Sequence, residues 1–142
     1  MKGRSAGGKS FLLQSVLKFV QPDTYVVRTG LSPNALAYGS HDLKHRHLVV
    51  YEAAGLQGSE GNANLRSLLS EGHLTRETTI RQSDGTFGTQ VVDREGPVGV
   101  LMTTTLNALH PEDETRLLSL RLDDDADQTR LVLIREARAR FS

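Results

Sequence analysis

GRSAGGKS, residues Gly3 to Ser10, matches the pattern G-x-x-x-x-G-K-[ST] at every defined position. In such a stretch the glycines let the backbone turn its N–H groups inward around phosphate oxygens. The helix that follows adds its positive N-terminal end. The lysine, here Lys9, reaches the β- and γ-phosphates, and the hydroxyl, here Ser10, takes a place on Mg²⁺. The loop normally joins a buried strand to a helix. Only Met1 and Lys2 lie upstream, too few to read as a strand. A Gly-rich tail is the bland alternative. A full match followed at once by FLLQSVLKFV, Phe11 to Val20, favours the phosphate loop, with that apolar run as a mostly buried helix.

Composition narrows the class. The chain has 142 residues, of which 37% are hydrophobic and 24% charged, enough for one domain with a core. Lys plus Arg and Asp plus Glu each number 17, so no large one-sign field steers nucleic acid, although a local basic patch is compatible with this balance. Cysteine is absent, which excludes disulfides and thiolate zinc sites and fits a cytoplasmic location. The apolar runs are too short to span a membrane, so no membrane partner is expected.

Along the chain, Tyr25 to Thr29 (YVVRT) reads as a strand, and Ser32-Pro33 as an N-cap and first helical residue of a short helix to Tyr38. HLVVY, His47 to Tyr51, is a continuous apolar strand of the kind found in parallel sheets. Asn64 to Glu71 reads as a helix stopped by Gly72. Leu74 to Gln82 and Thr86 to Glu95 read as strands joined through Ser83-Asp84-Gly85, a hairpin. VGVLMT, Val98 to Thr103, is a further apolar strand, and Gln128 to Arg140 a final helix with an acidic start. Strands alternating with helices predict a parallel α/β sheet carrying the hairpin 74–95 as an insertion.

Two strand ends carry candidate chemistry. Glu52 follows the apolar strand LVVY, where a carboxylate can polarise water and approach Mg²⁺; a loop-capping role is the alternative. The residue before it is Tyr51, not Asp. Thr103-Thr104-Thr105 ends VGVLM, where a hydroxyl can touch a γ-phosphate or simply belong to a β-favouring run. Arg116, within HPEDETRLLSL, is either a solvated helix charge or an arginine finger directed at a neighbour's ATP. His41, His45 and His47 have the spacing H-x-x-x-H-x-H without an accompanying carboxylate or thiol cluster, and read as surface histidines.

Taken together, the segments resemble an AAA+ P-loop ATPase core. Gly3 to Ser10 would be Walker A, Leu48 to Glu52 a Walker B-like strand, and VGVLMTTT the sensor 1 strand with Thr105 where Asn is usual. The hairpin just before that strand is similar to the pre-sensor 1 hairpin of minichromosome maintenance helicases and their relatives. At closer range VVYEAAGL, LRSLLSEG, TTTLNALHPEDETR and LDDDADQTR resemble bacterial and phage DNA primase-like or helicase-like ATPases of mobile elements. The resemblance implies ATP and Mg²⁺ as ligands, DNA as a partner, a homo-oligomeric ring, and Arg116 as the finger. The hairpin tip itself, Ser83 to Thr86, holds no Lys or Arg, which leaves Arg76, Arg81 and Arg94 as the nearby cations.

The sequence thus predicts a P-loop ATPase domain with its first strand missing. ATP is expected at Gly3, Arg4, Ser5, Ala6, Gly7, Gly8, Lys9, Ser10 and Phe11, and Mg²⁺ at Ser10 and Glu52. Glu52 is expected to polarise water, Thr105 to sense the γ-phosphate, and Arg116 to complete a neighbour's site. The reading frame upstream of Met1 is expected to continue with about five apolar residues, a typical strand. A nucleotide-dependent switch with little hydrolysis and a P-loop kinase are the rival functions.

Overall fold

The structure, a computed structural model, describes residues 1–4, 7–56, 59–105, 111–123 and 125–140. Helix α1 spans Lys9–Leu17, strand β1 Tyr25–Gly30, the one-turn helix α2 Ala35–Tyr38, and strand β2 Arg46–Glu52. Helix α3 spans Ser59–Ser70, strand β3 His73–Arg81, strand β4 Phe87–Glu95 and strand β5 Val98–Met102. The short helix α4 spans Pro111–Glu114 and helix α5 Ala126–Arg140.

The fold is α/β, as the alternation of elements predicts. β1, β2 and β5 form a parallel sheet in the order β1-β2-β5, and β3 and β4 form a separate antiparallel pair. Central β2 reads as a continuous apolar run because both its faces are covered. Leu48 and Val50 join a large cluster with Leu36, Leu65, Leu68 and Leu74 on one face. Val49 joins Leu13 and Leu17 of α1 on the other, with Tyr51 packed against them.

Three local expectations are corrected. Helix α1 ends at Leu17, short of Val20, and is one-sided: Leu13 and Leu17 are buried, whereas Phe11 is 75% exposed; Phe19, past its end, is 91% exposed. The short helix starts later than Ser32-Pro33, with Asn34 at the N-cap and no side-chain cap. Helix α3 begins five residues ahead of Asn64, at Ser59.

Met1 and Lys2 take a strand position despite their small number. Lys2 bridges in parallel to Thr104 on one side and to Arg121 on the other. The Lys2 N–H donates to the Leu120 carbonyl at 2.7 Å, the Lys2 carbonyl accepts from Leu122 at 3.0 Å, and the Met1 carbonyl accepts from Thr104 at 3.0 Å. The Lys2 side chain, 8% exposed, forms an ion pair with Glu114. The loop is therefore anchored at its start by backbone pairing and an ion pair. A groove of about 190 Å³ is lined by Met1 and Lys2 together with Val100, Leu101, Leu117 and Leu118.

The hairpin is tied to the body along one face. Leu74 is buried in the large cluster, the Tyr38 hydroxyl bonds to Thr78, and Lys44 pairs with Glu95 at 2.6 Å. Gly85 has φ +86° and closes the turn in a conformation that disfavours any side chain. Helix α5 starts at an Asp125 cap, whose carboxylate accepts from the Gln128 N–H at 2.7 Å, and none of its residues is buried.

Candidate functional site

All three strands of the parallel sheet, and the Met1–Lys2 segment beside it, point their carboxyl ends to the same edge. Ligands of α/β sheets sit at that edge. The structure brings together there the Gly-rich loop after Lys2, the threonines after β5, and Glu52 at the end of β2. β5 lies next to Lys2, and β2, which ends in Glu52, is one strand further away. The order of neighbours depends on long-range pairing that no local pattern encodes.

The loop is shaped by its own backbone. The Gly7 N–H donates to the Arg4 carbonyl at 3.2 Å, and Gly8, at φ +79° in the left-handed region, is the N-cap of α1. A side chain at Gly8 would be strained although nothing crowds it. The Leu12 N–H donates to the Gly8 carbonyl at 2.9 Å and starts the helix. The orphan amides of the first helical turn therefore face the loop, an arrangement suited to an anion. Lys9 is 8% exposed, and its ammonium folds back to donate to the Gly3 carbonyl at 2.8 Å and to the Arg4 carbonyl. The cation thus sits inside the turn of the loop, held by groups that a phosphate can replace. Ser10 and Phe11 are exposed on the first turn. Ser5 and Ala6 of the expected binding set lie outside the described residues.

Glu52 is half-buried and stands opposite Gly30 in the pairing of β1 and β2. Tyr51 packs on the α1 side of the sheet, against the cluster of Leu13, Leu17 and Val49. Thr105 is exposed, while Thr103 and Thr104 are each 1% exposed. Of the run Thr103-Thr104-Thr105, the sequence favours Thr105 as the γ-phosphate contact, whereas the structure buries Thr103 with its hydroxyl donating to the Tyr51 carbonyl. The signal was present, since a threonine that continues a buried strand needs a partner for its hydroxyl.

Arg116 is exposed and bound within its own chain. Its Nε donates to the Ser70 hydroxyl at 2.6 Å and its Nη1 to the Glu112 carbonyl at 2.6 Å. Nearby, Arg66 forms ion pairs with Glu112 and, at 3.7 Å, with Asp113. Of the hairpin arginines, Arg76 pairs with Glu60 at 2.9 Å and donates to Asn34 at 3.0 Å, and Arg94 donates to the His41 carbonyl. Both arginines fasten the hairpin to the body. Arg81 lies at the tip, paired in register with Phe87, which is 76% exposed. Hydrogen bonds from the Thr86 hydroxyl and N–H hold the Asp84 carboxyl below its usual range, so the turn keeps an anion beside them.

His41, His45 and His47 are exposed, and among the described residues no group of three His, Cys, Asp or Glu side chains is placed to hold a metal ion. No described helix is long and apolar enough to cross a membrane. Comparison with protein-family models, with curated proteins and with solved structures returns no match.

Proposed function

We propose that this chain is an ATP-binding and ATP-hydrolysing P-loop domain of the AAA+ kind, acting in a DNA replication or helicase-like machine. The observation that carries this reading is the Lys9 ammonium, held inside the loop on the Gly3 and Arg4 carbonyls. A buried lysine at the mouth of a Gly-rich turn, backed by a helix N-terminus, offers a polyphosphate one fixed cation and several amides. The triphosphate would displace the ammonium from the carbonyls and take it over. The Ser10 hydroxyl and the Glu52 carboxylate are oxygen donors suited to Mg²⁺, whose chemistry would be to neutralise charge on the β- and γ-phosphates. Glu52 would also polarise the attacking water, Thr105 would contact the γ-phosphate, and Arg116 would leave Ser70 to reach a neighbour's ATP in a ring.

DNA would meet the hairpin through Arg81 and Phe87, a cation beside an exposed ring on which a base can stack. ATP turnover measured with and without single-stranded DNA tests this. Turnover is expected to rise with DNA, and the rise to disappear in Arg81→Glu with its basal rate retained. DNA that leaves turnover unchanged would count against the DNA partner.

A second reading is a nucleotide-dependent switch with little hydrolysis. It is favoured by Tyr51, which presents a phenol on the α1 side where a carboxylate would supply a further metal ligand. Saturable ATP binding without turnover, with or without DNA, would select it.

A further inference from the structure

We propose that Thr103 is the positioning residue for the Glu52 carboxylate, an inference that rests on Glu52 acting on water. Thr103 meets the end of β2 through three polar groups. Its N–H donates to the Val50 carbonyl at 3.0 Å, and its carbonyl accepts from the Ala53 N–H at 3.0 Å. Its hydroxyl donates to the Tyr51 carbonyl. A regular parallel ladder leaves one residue between two such backbone bonds. Here Tyr51 and Glu52 both lie between them, one residue too many.

The carbonyls say the same. Successive carbonyls of a strand normally point to opposite neighbours, yet those of Val50 and Tyr51 both point to Thr103. The end of β2 is therefore bulged against β5. A bulge bends its strand and re-aims a side chain, and bulges gather beside active sites. Glu52 keeps its register opposite Gly30 of β1, so the extra residue is taken up on the β5 side, where the chain leaves β2 for the turn that begins at Ala53. Thr103 is 1% exposed, so its hydroxyl bond works where water does not compete. Without that bond the Tyr51 carbonyl loses its side-chain donor, and the Tyr51–Glu52 peptide that carries the Glu52 side chain is held less firmly.

The test uses the 142-residue chain. Thr103→Val removes the hydroxyl at nearly equal shape, and Thr103→Ser restores it; Thr103→Ala serves if the valine variant fails to fold. The first readout is NMR: the side-chain carboxyl shift of Glu52 and the amide exchange rates of Glu52 and Ala53. The second is the split between kcat and KM for ATP. Thr103→Val is expected to move the Glu52 and Ala53 signals and leave those of Gly7 to Ser10 in place. It is expected to lower kcat by about 10- to 100-fold, the scale of an ångström-sized misplacement, with KM changed by less than about threefold. Thr103→Ser is expected to match the parent in both readouts. Unmoved Glu52 and Ala53 signals in the hydroxyl-free variant would overturn the positioning, whatever the rates. Full turnover in Glu52→Gln would instead overturn the role of Glu52, and with it the effect on kcat, while the NMR readout still decides the hold of Thr103 on the strand end.

Discussion

Glu52→Gln is expected to lower ATP turnover by about 100- to 10,000-fold, the range over which removal of a general base acts, while ATP still binds. The substitution keeps the size of the side chain and one carbonyl oxygen, and it removes the group able to take a proton. Glu52 stands at the carboxyl edge of β2, opposite Gly30 and within the stretch that Thr103 brackets. The apolar residues that secure β2 are Leu48, Val49 and Val50, all buried. Single-turnover phosphate release beside a nucleotide titration separates the two effects. A variant that hydrolyses ATP at the parent rate would remove Glu52 from the chemistry. Equal loss of binding and turnover would mean that Glu52 serves chiefly as a metal or phosphate contact.

The second large effect lies in the core behind the loop. Leu13 is 0% exposed and joins α1 to the sheet through Leu17 and Val49. Truncating such a leucine to alanine costs about 2–5 kcal/mol, a large share of the roughly 5–15 kcal/mol that holds a typical domain together. Among the described residues the cluster on this face holds the buried Leu13, Leu17 and Val49, with Met1, Tyr25, Tyr51 and Leu101 partly buried against it. Leu13→Ala is therefore expected to lower the urea midpoint clearly and to weaken nucleotide binding, because the first turn of α1 carries Lys9 and Ser10. Phe11→Ala on the same helix, at a position 75% exposed, is expected to change stability by less than about 0.5 kcal/mol. Urea unfolding of the two variants side by side checks this. Comparable losses would mean that Phe11 is covered in solution.

The sequence displays some of this arrangement and hides the rest, for physical reasons. The apolar strands and the hairpin were legible because composition and turn chemistry act locally. YVVRT and HLVVY read as strands and lie within β1 and β2, and Ser83-Asp84-Gly85 closes the antiparallel pair. The start of α3 was hidden because its first turn is Ser-Glu-Gly-Asn, with a glycine that reads as loop. The run Phe11 to Val20 reads as mostly buried because most of its residues are apolar, but α1 ends at Leu17, and a helix resting on one face of a sheet covers only one stripe of its residues. The neighbour of the loop was not legible at all. Whether β2 or β5 pairs with Lys2 is decided by contacts about one hundred residues apart, since Met1 bonds Thr104. For the same reason the candidate residues were recognisable by type, whereas the bulge that sets Glu52 against Thr103 required the hydrogen bonds.

The loop itself is the point on which everything else depends. The decisive measurement is a titration of the chain with Mg-ATP, repeated with Lys9→Ala. Lys9 contributes a buried cation held on the Gly3 and Arg4 carbonyls. Circular dichroism of the variant checks that the fold survives the loss of these bonds. The predicted result is saturable one-to-one binding by the parent chain and a loss of about 100-fold, or about 2.8 kcal/mol, in the variant. A folded Lys9→Ala chain that binds Mg-ATP as tightly as the parent, or a parent chain that does not bind it, would contradict the assignment of Gly3 to Ser10 as a phosphate loop.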